Sequence, residues 1–270
     1  MTCFSLVMCV YAKENPAYLS QCVDSILKQT ILPDEWIIVK DGPLTAELES
    51  VLSGLRFPNE LKIIALPESV TQGPARAEGL KVAKHDWVAI MDSDDICMHD
   101  RFEKQLKMIE ANPDLSLIGG QIKEFSDSPE HVISMRNVPT SHAEILRFAK
   151  RRNPFNQMTV MLKRDLALAA GNYKYFLWFE DYDLWMRMIK SGAICANHPE
   201  ALVFARVGAG MYGRRRGLTY IRSEWRMQRQ LLDMGMVNAA EFATNVAMRI
   251  PVRLLPEHSL ANVYNRFARR

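Results

Sequence analysis

The chain has 270 residues, of which 48% are hydrophobic and 24% charged, with 34 Lys+Arg against 31 Asp+Glu. This is the composition of an ordinary globular protein long enough to bury a sizeable core, as one large domain or one domain with an appendage. Its five cysteines (Cys3, Cys9, Cys22, Cys97, Cys195) are odd in number and form no CxxC pair, which argues against a disulfide framework or zinc site and fits a reducing cytoplasm.

A strand is predicted over residues 4–11, starting almost at the first residue, with neither a charged leader nor a small-residue cleavage site before it. No apolar stretch approaches the roughly 18 residues needed to span a bilayer. Pro16 suits the first position of a helix running to about residue 28. A strand over 35–40 ends in Asp41-Gly42-Pro43, and a helix near 44–55 precedes a strand over 61–66. Gln72-Gly73-Pro74 opens a helix through residue 84. The run Val88-Ala89-Ile90-Met91 then ends abruptly in Asp92-Ser93-Asp94-Asp95. An apolar run bounded by polar residues reads as a strand buried on both faces of a parallel sheet. Strands alternating with helices imply βαβ units, hence an α/β fold.

A helix over 98–111 follows, and Asp95 or a neighbour could be spent on capping it. Beyond it the pattern is mixed: strands over 115–125, 131–136 and 159–162, with helices over 143–150 and 181–190. A glycine-rich segment, 208–217, carries Arg214, Arg215 and Arg216, and its four glycines predict a mobile loop. From residue 218 the pattern is mostly helical. Residues 206–270 hold twelve Arg and four acids, a net +8, whereas residues 1–205 carry −5. A basic tail on a slightly acidic body points to an anionic partner. With no zinc finger or RNA-recognition signature, an anionic lipid surface fits better than nucleic acid.

Ligands of open α/β sheets bind beyond the carboxyl ends of the strands. Here that edge carries Tyr11, Asp41, Gln72 with Arg76, and the acids Asp92–Asp95. An aromatic ring can stack on a base and a carboxylate can accept from a base N–H. An arginine can pair with a diphosphate, and carboxylates can share a hard cation such as Mg²⁺ or Mn²⁺ with phosphate oxygens. There is no P-loop, no GxGxxG after the first strand and no GxSxG elbow, which removes P-loop NTPases, dinucleotide dehydrogenases and α/β-hydrolases.

The set resembles the family 2 glycosyltransferases of the GT-A fold. The matching pieces are Val10-Tyr11-Ala12, residues 22–30, Ile38-Val39-Lys40-Asp41-Gly42, residues 73–80 and Met91-Asp92-Ser93-Asp94-Asp95. The likeness continues through Arg152-Asn153-Pro154-Phe155-Asn156 and residues 179–185. It implies a Rossmann-like, mostly parallel nucleotide-binding sheet with a helical basic C-terminal region. Residues 1–205 would form the catalytic domain, with 1–125 binding the nucleotide sugar and 126–205 facing the acceptor. The loop and helical tail would occupy 206–270.

The resemblance also implies roles. Tyr11, Asp41 and Arg76 would hold the nucleotide, Asp92 and Asp94 would form the DxD pair, and Asp94 and Asp95 would carry Mn²⁺ or Mg²⁺. Asp181, beside Glu180, would be the catalytic base. Lys40 and Gln157 depart from residues frequent in the family. Asn156 and Trp178 are acceptor candidates, Trp185 is a second aromatic platform or core, and His198 is a further metal-ligand candidate. Arg214 and Arg215 are candidates for a lid over the diphosphate. The expected activity is inverting, metal-dependent transfer from a UDP-sugar to a saccharide acceptor, lipid-linked, in surface polysaccharide synthesis. The expected setting is the cytoplasm, with peripheral contact at the inner membrane face. The alternative is a sugar-nucleotide-binding or scaffolding subunit without turnover.

Overall fold

Four parallel strands form the first half of a mixed sheet in the computed structural model, which describes residues 2–208 and 216–254. They are β1 (Phe4–Tyr11), β2 (Glu35–Asp41), β3 (Glu60–Ala65) and β4 (Trp87–Asp92), ordered β3-β2-β1-β4. The helices between them are α1 (Pro16–Leu27), α2 (Ala46–Gly54) and α3 (Gln72–Val82). Asn15 caps α1 by accepting from Ala17 N, with Pro16 at the first helical position. Val7, Ile37, Val39, Val88 and Ile90 enter the core on one face. Leu6, Met8, Trp36, Ile38, Ala89 and Met91 enter the core on the other. Successive side chains of a strand point to opposite faces, so a strand covered on both sides must be apolar throughout.

The second half begins with β8 (Met161–Lys163), antiparallel to β4, and continues through β6 (Leu115–Phe125), β9 (Ile194–Arg206) and β5 (Ile96–Cys97). β7 (Val132–Arg136) pairs with β6 outside this path. The 13-residue β9 was not legible in sequence because Pro199 and Glu200 interrupt its apolar pattern. Its register against the parallel β6 slips between Gly120 and Gln121, opposite His198 and Ala201. That irregularity lets a proline sit in an interior strand. The strand expected over 159–162 divides into a 3₁₀ turn, Gln157–Thr159, followed by β8.

α4 (Arg101–Ala111) starts after Asp100, later than expected, so the acids of the Asp92–Asp95 loop are not used in capping it. The remaining helices are α5 (His142–Ala149), α6 (Arg164–Ala169), α7 (Glu180–Lys190), α8 (Gly217–Asp233) and α9 (Ala239–Arg249). α8 packs on the body: Tyr220, Met227 and Leu231 share a core with Tyr182 and Trp185 of α7. Arg214 and Arg215, the candidate lid, lie outside the described residues, as does the tail beyond Leu254. Among the described residues no helix is long and apolar enough to cross a membrane.

Candidate active site

The carboxyl edge of the parallel strands brings together Tyr11, Asp41, Arg76 and Asp92, the residues expected to hold the nucleotide. Tyr11 ends β1 opposite Asp41 at the end of β2, and Cys9 pairs in register with Asp92 at the end of β4. Tyr11 is exposed, as a stacking ring must be. Asp41 is buried and accepts from Ser69 Oγ at 3.0 Å and Val70 N at 2.6 Å, so it also fixes the loop between β3 and α3.

Arg76 on α3 is not the exposed helical residue that its position alone would allow; its side chain is 4% exposed. Nη2 lies 2.6 Å from Asp92 Oδ1 and Nη1 lies 3.5 Å from Glu180 Oε1. The close approach of α3 to α7 depends on Gly73. A Cβ there would stand 2.6 Å from Lys174 O and 2.9 Å from the Glu180 Cβ. Thr71, just before α3, and Trp178, just before α7, both have positive φ (77° and 67°). A β-branched and an aromatic residue in that region are strained, and such strain gathers at functional sites.

The acid loop is held by three hydrogen bonds to Glu14 and Arg206. Ser93 Oγ donates to Glu14 Oε2 at 2.6 Å, Arg206 N donates to Asp95 Oδ1 at 2.7 Å, and Arg206 Nε donates to Asp94 O at 3.1 Å. The Arg206 guanidinium also lies 3.8 Å above the Tyr18 ring. Burial, reinforced by the charge of Asp92, pushes the Asp94 carboxyl up to about 7. Burial and then the Asp94 charge raise Asp95 well above the carboxylate range. Carboxyls crowded to this degree call for a countercharge, and their all-oxygen donor set suits a hard divalent ion. Among the described residues no three His, Cys, Asp or Glu side chains are grouped closely enough to hold an ion by themselves. The residues therefore fit Mg²⁺ or Mn²⁺ only in the mode that uses one or two carboxylates together with substrate phosphate oxygens. Asp94 is the more accessible of the two metal candidates; Asp95 is 2% exposed and turned to the Arg206 backbone.

Across the site, Glu180 and Asp181 form the first turn of α7. Phe179 occupies the cap position without a side-chain bond, so neither Asp181 nor Asp183 is the N-cap. Asp183 is buried against Arg187 at 2.7 Å and Gln230. Asp181 instead accepts from Asn153 Nδ2 at 2.6 Å and from Tyr182 N at 2.6 Å. Burial raises its carboxyl, opposed by the Tyr182 N–H. Burial and then the Asp181 charge push Glu180 up to about 7.

The acceptor candidates separate. Trp178 is partly buried, with its ring 4.9 Å from Tyr220 of α8. Asn156 is fully buried and its Nδ2 donates to Gly120 O at 2.8 Å, while its Oδ1 is buried without a hydrogen-bond partner. Trp185 is fully buried core. His198 Nδ1 accepts from Glu200 N at 3.1 Å, a role within β9. Lys40 is held by Glu49 at 2.6 Å, and Gln157 Nε2 donates to Tyr173 Oη at 3.1 Å. Sequence reasoning missed Glu14, Asn153 as the residue holding Asp181, and Arg206. A basic residue closing the run Leu202-Val203-Phe204-Ala205 was the available signal for Arg206.

A half of four parallel strands with flanking helices, an acid loop after β4 and an acid pair opening α7 together describe a GT-A fold. The chain belongs to glycosyl transferase family 2, whose model matches residues 5–176. It is 35% identical over 97% of its length to the amylovoran biosynthesis glycosyltransferase AmsE of Erwinia amylovora, covering 98% of that protein. It is 34% identical over 99% of its length to the Escherichia coli UDP-Gal:alpha-D-GlcNAc-diphosphoundecaprenol beta-1,3-galactosyltransferase, covering 97% of it. Among solved structures, residues 1–349 of S. aureus TarS with UDP-GlcNAc superpose with a TM-score of 0.68 at 18% identity, over 100% of this chain and 74% of that one. The mannosyltransferase PcManGT of Pyrobaculum calidifontis with GDP-Man and Mn²⁺ gives 0.64 at 15%, over 98% and 80%.

Proposed function

We propose that this glycosyltransferase is an inverting, metal-dependent enzyme. It would move a sugar from a UDP-sugar to a saccharide carried on a lipid diphosphate, in the assembly of a surface polysaccharide. The observation that carries this reading is the buried bridge from Asp92 through Arg76 to Glu180. It ties the edge that would hold the donor to the helix turn that presents Asp181. The relatives named for UDP-galactose transfer to a lipid diphosphate and for amylovoran synthesis support the substrate class.

In this mechanism Tyr11 stacks on the uracil and Asp41 accepts from its N–H. Asp181 takes the proton from an acceptor hydroxyl, whose oxygen attacks the anomeric carbon from the side opposite the diphosphate. An α-linked donor then yields a β-linked product. Asn153 keeps Asp181 oriented, and a raised carboxyl makes it a better base than a solvated one would be. Asp94, with Asp95 behind it, would hold Mn²⁺ or Mg²⁺, whose charge would offset that of the departing diphosphate.

Release of UDP from a panel of UDP-sugars, with Mn²⁺ and with or without a lipid-diphosphate saccharide, tests the proposal. Product formation with inverted configuration is expected. Binding of UDP-sugar with no release under any condition would leave a binding subunit in place of an enzyme.

A further inference from the structure

A groove of about 920 Å³ opens along α5 and the segment after it, lined in part by Arg147, Lys150, Arg151 and Arg152. Its volume is in the range of small-molecule sites. The chain on either side of its basic segment is anchored to the candidate base and its neighbour. Ala149 O accepts from the Tyr182 hydroxyl, and Asn153 Nδ2 donates to Asp181 Oδ2 at 2.6 Å. The three basic residues 150–152 therefore occupy the short segment between two anchors on residues 182 and 181.

Two acids also line the groove, and both are already engaged. Glu144 accepts from Ser141 Oγ at 2.7 Å, in the capping box of α5. Glu241 pairs with Lys150 at 2.8 Å and accepts from Asn238 N at 2.9 Å. Arg147 and Arg151 are exposed, and neither forms an ion pair among the described residues. Arg152 lies over the Phe148 ring at 5.7 Å, which fixes its guanidinium at the groove wall. The local balance is positive, and the arginines can present paired N–H groups to phosphate oxygens.

We propose that this groove binds the diphosphate of the acceptor, with Arg147 and Arg151 as its principal contacts. The inference rests on the acceptor class proposed above and assigns a place to its anionic part. With an acceptor hydroxyl at Asp181, the diphosphate on the same sugar would lie about one ring away, and the basic segment held by Asp181 and Tyr182 would receive it. The donor's diphosphate, by contrast, belongs at the opposite edge, near Arg76 and Asp94.

Two measurements on the full chain test this. In the first, pyrophosphate binding is titrated with UDP and Mn²⁺ saturating the donor site, for the wild type and for the Arg147→Gln/Arg151→Gln variant. The wild type should bind pyrophosphate with an affinity that falls with salt, and the variant about tenfold or more weakly. Equal binding by both overturns the groove as an anion site, whatever the chain's activity. In the second, KM is compared for a sugar carried on a short-chain lipid diphosphate and for the same sugar as a plain alkyl glycoside. The variant should raise the ratio of the two KM values about tenfold. An unchanged ratio overturns the diphosphate role, and so does a variant that weakens only attachment to anionic vesicles lacking acceptor. Absence of wild-type transfer to either acceptor would instead strike the functional reading beneath it.

Discussion

Arg76 and Asp92 form a 2.6 Å ion pair at the carboxyl end of β4, and the other arm of the same guanidinium reaches Glu180 at 3.5 Å. One cation thus offsets a carboxylate from each side of the site. Removing it leaves two crowded acids without compensation. Arg76→Met is expected to destabilise the fold by about 3 kcal/mol, the scale for breaking a buried pair by deleting one partner. Thermal unfolding measures this, and UDP binding should weaken in the same variant. Arg76→Lys should recover part of the stability, since a single ammonium cannot span both carboxylates as the fork does. Equal melting temperatures for the wild type and Arg76→Met would show that the triad has no structural importance.

Asp181 is the residue on which turnover should depend most steeply. Asp181→Asn is expected to retain UDP-sugar binding and lose transfer by about 10² or more, the scale of a general base. Its carboxyl is raised by burial and shares its neighbourhood with Glu180, which is pushed up to about 7. The base must be ionised, so kcat/KM for the acceptor should fall on the acid side at a higher pH than an ordinary aspartate would give. Glu180→Gln removes the neighbouring charge and should move this acid limb to lower pH. If Glu180→Gln abolishes transfer while Asp181→Asn spares it, the two acids have exchanged roles.

The same Glu180 shift has a consequence for stability. A carboxyl raised in the folded state contributes stability that is present at low pH and lost as pH rises through about 7. At pH 8 the buried carboxylate is a net burden, offset in part by Arg76. Glu180→Gln should therefore be more stable than the wild type at pH 8 by about 1 kcal/mol, or roughly 2–4 °C in Tm, with the difference closing by pH 5. A Tm difference that is constant from pH 5 to pH 8 would contradict the assignment.

The first half of the chain was legible because its chemistry is local. The strands β1, β2 and β4 are built on apolar runs, and Tyr11, Asp41 and Asp92 sit at the last residue of a strand, where position along the chain fixes position on the sheet. The second half was not, because its geometry depends on distant partners. β5 has two residues and acquires meaning only beside β9. Pro199 hides β9 until the register slip against β6 is seen. Asn156 sits in a segment that resembles the family, and its Nδ2 is held by the Gly120 carbonyl. Nothing in the sequence separates an amide aimed at a ligand from one aimed at the backbone. Arg206 was likewise invisible as the clamp on Asp94 and Asp95, 111 residues away from Asp95.

In the proposed mechanism metal dependence falls to Asp94. It sits on a loop, so Asp94→Ala should leave the fold intact, abolish turnover and remove the Mn²⁺-dependent part of UDP binding. Calorimetry of UDP binding with Mn²⁺ and with EDTA separates these effects. Equal wild-type activity under the two conditions would end the metal-dependent reading, and a full effect of Asp95→Ala with none from Asp94→Ala would exchange the two acids.

The basic tail is the last element whose role can be tested, and the structure dictates where to cut. Arg253 pairs with the fully buried Glu224 of α8 at 3.0 Å and lies 4.5 Å over the Tyr220 ring, which in turn packs on Trp178. Arg249 holds the other oxygen of Glu224 at 2.7 Å. Truncation after Arg249 would delete one partner of a buried carboxylate, and should cost about 1–3 kcal/mol and lower Tm by several degrees. Truncation after Leu254 keeps both partners and should leave Tm nearly unchanged. It removes Arg266, Arg269 and Arg270, each contributing about 1 kcal/mol if the tail rests on an anionic surface. Binding to vesicles rich in anionic lipid should then fall by tenfold or more, and activity on a lipid-linked acceptor should fall more than activity on a short soluble one. Vesicle binding that ignores both the shorter cut and added salt would leave residues 255–270 with no membrane role.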